Sequence, residues 1–146
     1  MAITQAIANA FKKQLLEGDQ NFKSSGGDVF KLALYTSSAT LNSTTTAYVN
    51  TNEVANSGQY TAGGSQLTGQ NTSIASGVAI VDFADLSFTG VTLTARGALI
   101  YNTSSAVTNA AVAVLNFGAD KTATSGTFTV QFPAFTTAAA ILRISG

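Results

Sequence analysis

The chain has 146 residues, with seven basic and seven acidic side chains, no histidine and no cysteine, and only 10% of it is charged. That length suits one domain with its own core. Zero formal charge gives no long-range pull toward nucleic acid or an anionic membrane, and without imidazole or thiolate ligands zinc and similar metals are not expected.

At the N-terminus, Ile3, Ile7, Phe11 and Leu15 recur on one helical stripe with Ala6 and Ala10 beside them, while Lys12, Lys13 and Glu17 fall on other faces. Thr4 can cap the start and Gly18 can supply a left-handed stop, so the spacing predicts an amphipathic helix over 4–17 within an N-terminal segment 1–18. Such a helix either covers one end of a β core or docks on a neighbouring subunit through residues such as Phe11. No basic residue precedes its apolar part, and Lys12 and Lys13 interrupt it, so a signal peptide is not expected. Nor does any apolar run approach the roughly 20 residues of a membrane helix.

From residue 29 the period changes to two. Phe30, Leu32 and Leu34 alternate with Lys31, Ala33 and Tyr35, as in a half-buried strand. Similar runs occupy 77–83, 90–95, 97–102, 109–117, 126–132 and 138–144, with turn residues at Thr89 and Gly90, at 102–105, at 118–121 and at Pro133. About seven or eight short strands without helical crossovers predict a mainly β, single-domain antiparallel sandwich or barrel, jelly-roll-like, over 29–146.

Residues 37–76 interrupt this pattern with a long polar excursion. Structureless loops beyond about 12–15 residues are uncommon, so either 44–54 forms a short helix or a partner orders the segment. Tyr48, Val49, Val54 and Tyr60 are too many large side chains for a solvated loop, and together with Phe11 they are the candidate partner contacts.

Motifs that would carry chemistry fall short. Gly58, Gly63, Gly64 and Ser65 have the spacing of a phosphate-binding loop, but Gly64 stands at the lysine position, no buried strand precedes and no good helix follows. They read as turn glycines. Asp82 and Asp85 are a close carboxylate pair, but with no histidine to assist they read as turn and salt-bridge residues pairing with Arg96. No serine has a histidine base, and Lys12, Lys13, Lys23 and Lys31 form no dense patch. The expectation is a non-enzyme with no catalytic, cofactor-binding or metal site and no nucleic-acid or membrane partner.

Six stretches in order, NAFKKQLLEGDQNF, DVFKLALYTSSATLNSTTTAYVNTNEV, GQYTAGG, VDFADLSF, TLTARGALIYN and AVAVLNFGADKTATSGTFTVQF, cover nearly the whole chain and resemble small virion structural proteins of tailed bacteriophages. The resemblance implies a non-enzymatic capsid decoration or cement protein that bridges and stabilises coat subunits. Its partners would be the major capsid protein or other virion subunits and further copies of itself, with a trimer favoured. It would be made in the host cytoplasm and end on the capsid surface. Alternatives are a tail or head-to-tail adaptor, or a receptor- or carbohydrate-binding module presenting Tyr35, Tyr48, Tyr60 or Tyr101 as an exposed aromatic platform. Low charge and an amide- and hydroxyl-rich surface suit life inside an assembly.

Overall fold

The computed structural model describes residues 2–146. Among them the order is β1 (Ala6–Ile7), α1 (Asn9–Glu17), β2 (Phe30–Tyr35), β3 (Ser65–Gln66), β4 (Asn71–Ala75), β5 (Val78–Asp82), β6 (Leu86–Asn102), β7 (Ala110–Val130) and β8 (Leu142–Ile144). Every strand pair is antiparallel, and the strands divide into a five-stranded sheet, β1-β7-β6-β2-β3, and a three-stranded sheet, β4-β5-β8. The mainly β, sandwich-like architecture follows the alternation in the sequence. The larger sheet supplies most of the core through Phe30, Leu34, Leu99 and Val112, and the smaller joins it through Leu142 and the partly buried Val81.

Two expected turns are bulges instead. The runs at 90–95 and 97–102 belong to the one strand β6, and those at 109–117 and 126–132 to the one strand β7. Around Thr89 and Gly90 the register shifts between Phe88 and Val91, and opposite Arg96 the partner of Ala95 is Lys121 while that of Gly97 is Asn116. Gly118, with φ 82°, lies in this second bulge. A glycine at positive φ inside a strand serves a bulge as readily as a turn, and the bulge increases local twist without ending the ladder. The outer part of β6 alternates on either side of the bulge at Thr89 and Gly90, with Phe88, Val91, Leu93 and Ala95 inward and Ser87, Thr92 and Thr94 outward. Residues 97–102 are buried on both faces, flanked by β2 and β7.

The helix begins later than its stripe predicts. Ile3 bridges Leu41, and Ala6 and Ile7 pair with Val114 and Ala113 at the edge of β7, so α1 covers only Asn9–Glu17 and its N-cap is Ala8 without a side-chain cap. The sheet edge offered these residues backbone partners, which outweighed a weak helical preference in so short a segment. Gly18 does end the helix, at φ 81° with its N–H directed to the Gln14 and Leu15 carbonyls. The apolar stripe still faces inward: Ile3 and Phe11 are core residues, and Ile7 and Leu15 pack against the core.

Candidate functional site: contact surfaces

Residues 44–54 form no helix, and the excursion is held by the chain itself. Its own two tyrosines converge on Glu53. The Tyr48 hydroxyl donates to Glu53 Oε2 at 2.7 Å, the Tyr60 hydroxyl donates to Oε1 at 2.7 Å, and the Gly63 N–H donates to Oε1 at 2.6 Å. Tyr35 donates to the Val49 carbonyl at 2.6 Å and Tyr101 to the Gly63 carbonyl at 2.6 Å. Tyr35 and Tyr101 therefore tie residues 48–63 to the sheet, while Tyr48 and Tyr60 brace the segment around Glu53.

Backbone geometry explains why this segment lies where it does. β3 covers the outer edge of β2 only at Lys31 and Leu32. Beyond it, the Leu34 carbonyl accepts from Val54 N–H at 2.9 Å, the Leu34 N–H donates to the Tyr60 hydroxyl at 2.8 Å, and Thr36 N–H donates to the Asn52 carbonyl at 3.0 Å. The excursion thus replaces a missing edge strand, satisfying groups that would be costly to bury unpaired. Gly64, at φ 78°, passes so close to β2 that a Cβ would overlap the Leu32 carbonyl. With β3 rather than a helix after it, the glycine cluster at 58–64 is turn and close-approach geometry.

Burial pushes all four tyrosine hydroxyls up. For Tyr101 the value rises to about 12, through burial first and the Glu53 charge second. Tyr35, Tyr48 and Tyr60 move in the same direction, again chiefly through burial. Removing a proton here would place an anion in an apolar surround beside a carboxylate.

These contacts correct the assignment of partner residues. Tyr60 and Val54 are in the core, and Tyr48 is half-buried, stacked on Tyr101 with ring centroids 4.7 Å apart. Phe11 is core as well, edge-on to Phe22, which stacks on Phe30 at 4.4 Å. Of the five only Val49, 49% exposed, is open to a partner. An excess of large side chains in a polar segment marks a contact, and the contact is intramolecular.

Arg96 pairs with neither Asp82 nor Asp85. Its Nε donates to Asp120 Oδ1 at 3.0 Å, across the bulge it faces. Asp85 precedes β6 and accepts from the Phe132 N–H at 2.8 Å, and Asp82 lies on β5 with Oδ1 buried and unpartnered. Because β6 runs on through Thr89 and Gly90, Asp85, just before its start, and Arg96 stand roughly 30 Å apart. With both Arg96 and Asp120 substantially exposed, the pair contributes about 0–1 kcal/mol.

A buried polar network has no counterpart in the sequence reading. Asn102, fully buried, donates through Nδ2 to Gln20 Oε1 at 2.9 Å and to Asp28 Oδ2 at 2.7 Å. Its Oδ1 accepts from Ser104 N–H at 2.9 Å and Ser105 N–H at 3.0 Å. The available signal was an asparagine closing an apolar strand just before a serine-rich turn. The network fastens the segment after α1 to the end of β6.

Charged residues are exposed on α1, as Lys12, Lys13 and Glu17, and on β7, as Asp120 and Lys121, but much of the remaining open surface is uncharged and extended. β4 is exposed at all five residues, with Ile74 73% exposed. On the β6–β7 ribbon, hydroxyls line the outer face, Ser87 with Thr129 at 2.9 Å and Thr94 with Thr122 at 2.8 Å. No family model, curated protein or solved structure matches the chain.

Proposed function

We propose that this chain is a non-enzymatic structural protein of a tailed-bacteriophage virion, and within it a capsid decoration protein that bridges and stabilises coat subunits. The carrying observation is the exposed, uncharged surface of β4 and the hydroxyl-lined β6–β7 ribbon on a body of zero formal charge. Flat amide and hydroxyl surfaces suit repeated modest contacts on a lattice, where avidity, not one tight site, sets retention. The resemblance of the six stretches to virion proteins supports the same reading. Its partners are then the major capsid protein and other copies of the chain, on the capsid surface. A receptor- or carbohydrate-binding role is disfavoured because the tyrosine hydroxyls are engaged internally and three of the four rings are buried.

Counting copies of the chain per purified particle by quantitative mass spectrometry tests this. Hundreds of copies are expected, because a decoration protein follows capsid symmetry. On the order of ten would assign it to an adaptor or tail ring instead, and absence from the particle would overturn the virion reading.

A further inference from the structure

Among the described residues four strands end the two sheets, and three of them are guarded by shortness or charge; the outer halves of β6 and β7, which also have a single strand neighbour, are twisted by bulges and carry Arg96, Asp120 and Lys121. β1 and β3 are two residues each, and β8 is three residues and carries Arg143. β4 is five residues, Asn71-Thr72-Ser73-Ile74-Ala75, and residues 67–81 contain neither a charge nor a proline. Proteins that stay monomeric blunt such edges with lysine, proline, bulges or a covering loop. β4 pairs with β5 in unbroken register, so no bulge twists it away, and none of its residues is covered.

The free edge has a defined hydrogen-bonding pattern. Ser76 (φ 50°) and Gly77 (φ 76°) make the two-residue turn between β4 and β5, with positive φ at both positions. In such a hairpin Ala75 and Val78 form a hydrogen-bonded pair, and pairs then alternate, so Asn71 and Ser73 turn their backbone groups toward β5 while Thr72 and Ile74 turn theirs outward. Among the described residues the outward groups find one substitute partner: Thr72 N–H donates to the Asn71 side-chain oxygen at 2.9 Å.

We propose that β4 is the site of two-fold association between copies of this chain, pairing antiparallel with β4 of a second copy. The outward groups select both the occupant and the register. Only an extended strand answers alternating outward N–H and C=O groups. Self-pairing centred on Ser73 sets Thr72 of one copy opposite Ile74 of the other, and the reverse, so every outward group of both residues is used in four backbone hydrogen bonds. Threonine opposite isoleucine is also a favourable β-branched cross-strand pair. The zero formal charge of the chain and the absence of charge in 67–81 remove repulsion between copies. The result is a continuous six-stranded sheet, β8-β5-β4-β4-β5-β8, and a dimer in place of the trimer that the virion resemblance favours. It does not depend on the particle reading, because a dimer forms in solution whatever the particle contains.

The absence of cysteine makes the register directly testable. Ser73 on the axis is a non-hydrogen-bonded pair with Cα atoms about 4.5 Å apart, within disulfide reach. Thr72 from each copy would be roughly 8 Å apart, beyond it. Under mild oxidation the full-length Ser73→Cys variant should cross-link to a covalent dimer, and Thr72→Cys should not. Sedimentation of the wild type should show dimers, and Ile74→Lys should raise the dimer dissociation constant at least about tenfold. Equal cross-linking at 72 and 73, no cross-linking at 73, a wild-type monomer or trimer, or an unmoved dissociation constant in Ile74→Lys would each overturn the proposal.

Discussion

Residues 37–67 are polar in composition and nearly devoid of regular structure, yet Leu41, Val54, Tyr60 and Leu67 within them are buried. Residues 71–82 form a regular hairpin, yet its outer strand is exposed throughout. In the first region irregular backbone closes an edge of the larger sheet; in the second, regular backbone leaves an edge of the smaller sheet open. Regularity and fixation are therefore separate properties. A segment is fixed by where its hydrogen bonds and large side chains go, and repeating dihedrals contribute little if both faces stay wet.

The largest effect expected from breaking this contrast is at Tyr60. Tyr60→Ala deletes a fully buried ring that packs edge-on to Phe88 at 5.0 Å, and it also orphans Leu34 N–H and one donor to Glu53. A loss of about 4 kcal/mol is expected, read as a lower urea midpoint together with proteolytic cutting in 44–64. Glu53→Ala comes next. It leaves two hydroxyls and one N–H without their acceptor, and about 3 kcal/mol is expected because water can reach part of the gap. If either variant melts like the wild type, the excursion is not anchored by this network.

Alkaline pH attacks the same region without mutation. Tyr101 is held at about 12 in the fold against an ordinary value near 10. A raised folded value means that the protonated form is the one stabilised, so the contribution is complete below about pH 10 and is lost as pH rises through about 12. The total loss amounts to about 3 kcal/mol for this one group. Stability measured by denaturant between pH 9 and 12 should fall accordingly, with the excursion becoming protease-sensitive first. A flat profile would mean that the hydroxyls titrate as they do in the unfolded chain.

Legibility in the sequence divides along the same line. Period-two alternation located β2, β5 and the body of both long strands, because alternation is dictated by a half-buried sheet whatever its connections. Gly18 marked the helix end for an equally local reason. Connections are harder to read: Gly90 and Gly118 have the same positive φ in a bulge as in a turn, the irregularity at Arg96 divides β6 into two apparent runs, and the aspartates expected to pair with Arg96 lie on β5 and just before β6, far from it. α1 starts later than its apolar spacing predicts because the residues before it find a sheet edge, which local spacing does not announce. Tyr48, Val54 and Tyr60 read from sequence as partner contacts and are instead intramolecular ones, because sequence alone carries no information on whether the other side of a contact is the same chain. Asn102 is legible only as a turn residue bonding Ser104 and Ser105, because its other two partners, Gln20 and Asp28, reach it only on folding.

The smallest effect is expected in the hairpin, and its smallness is informative. Ile74→Ser changes a side chain that is 73% exposed and leaves every hydrogen bond to β5 in place, because its own N–H and C=O point away from that strand. Little apolar burial is lost, so monomer stability should move by no more than about 0.5 kcal/mol. Measured as a urea midpoint at high dilution, where copies do not meet, the variant should coincide with the wild type. Measured at high concentration, where association adds to the apparent stability of the wild type, the two should separate. A substantial loss at high dilution would mean that Ile74 packs within its own chain, and the hairpin would then resemble the excursion in being internally fixed.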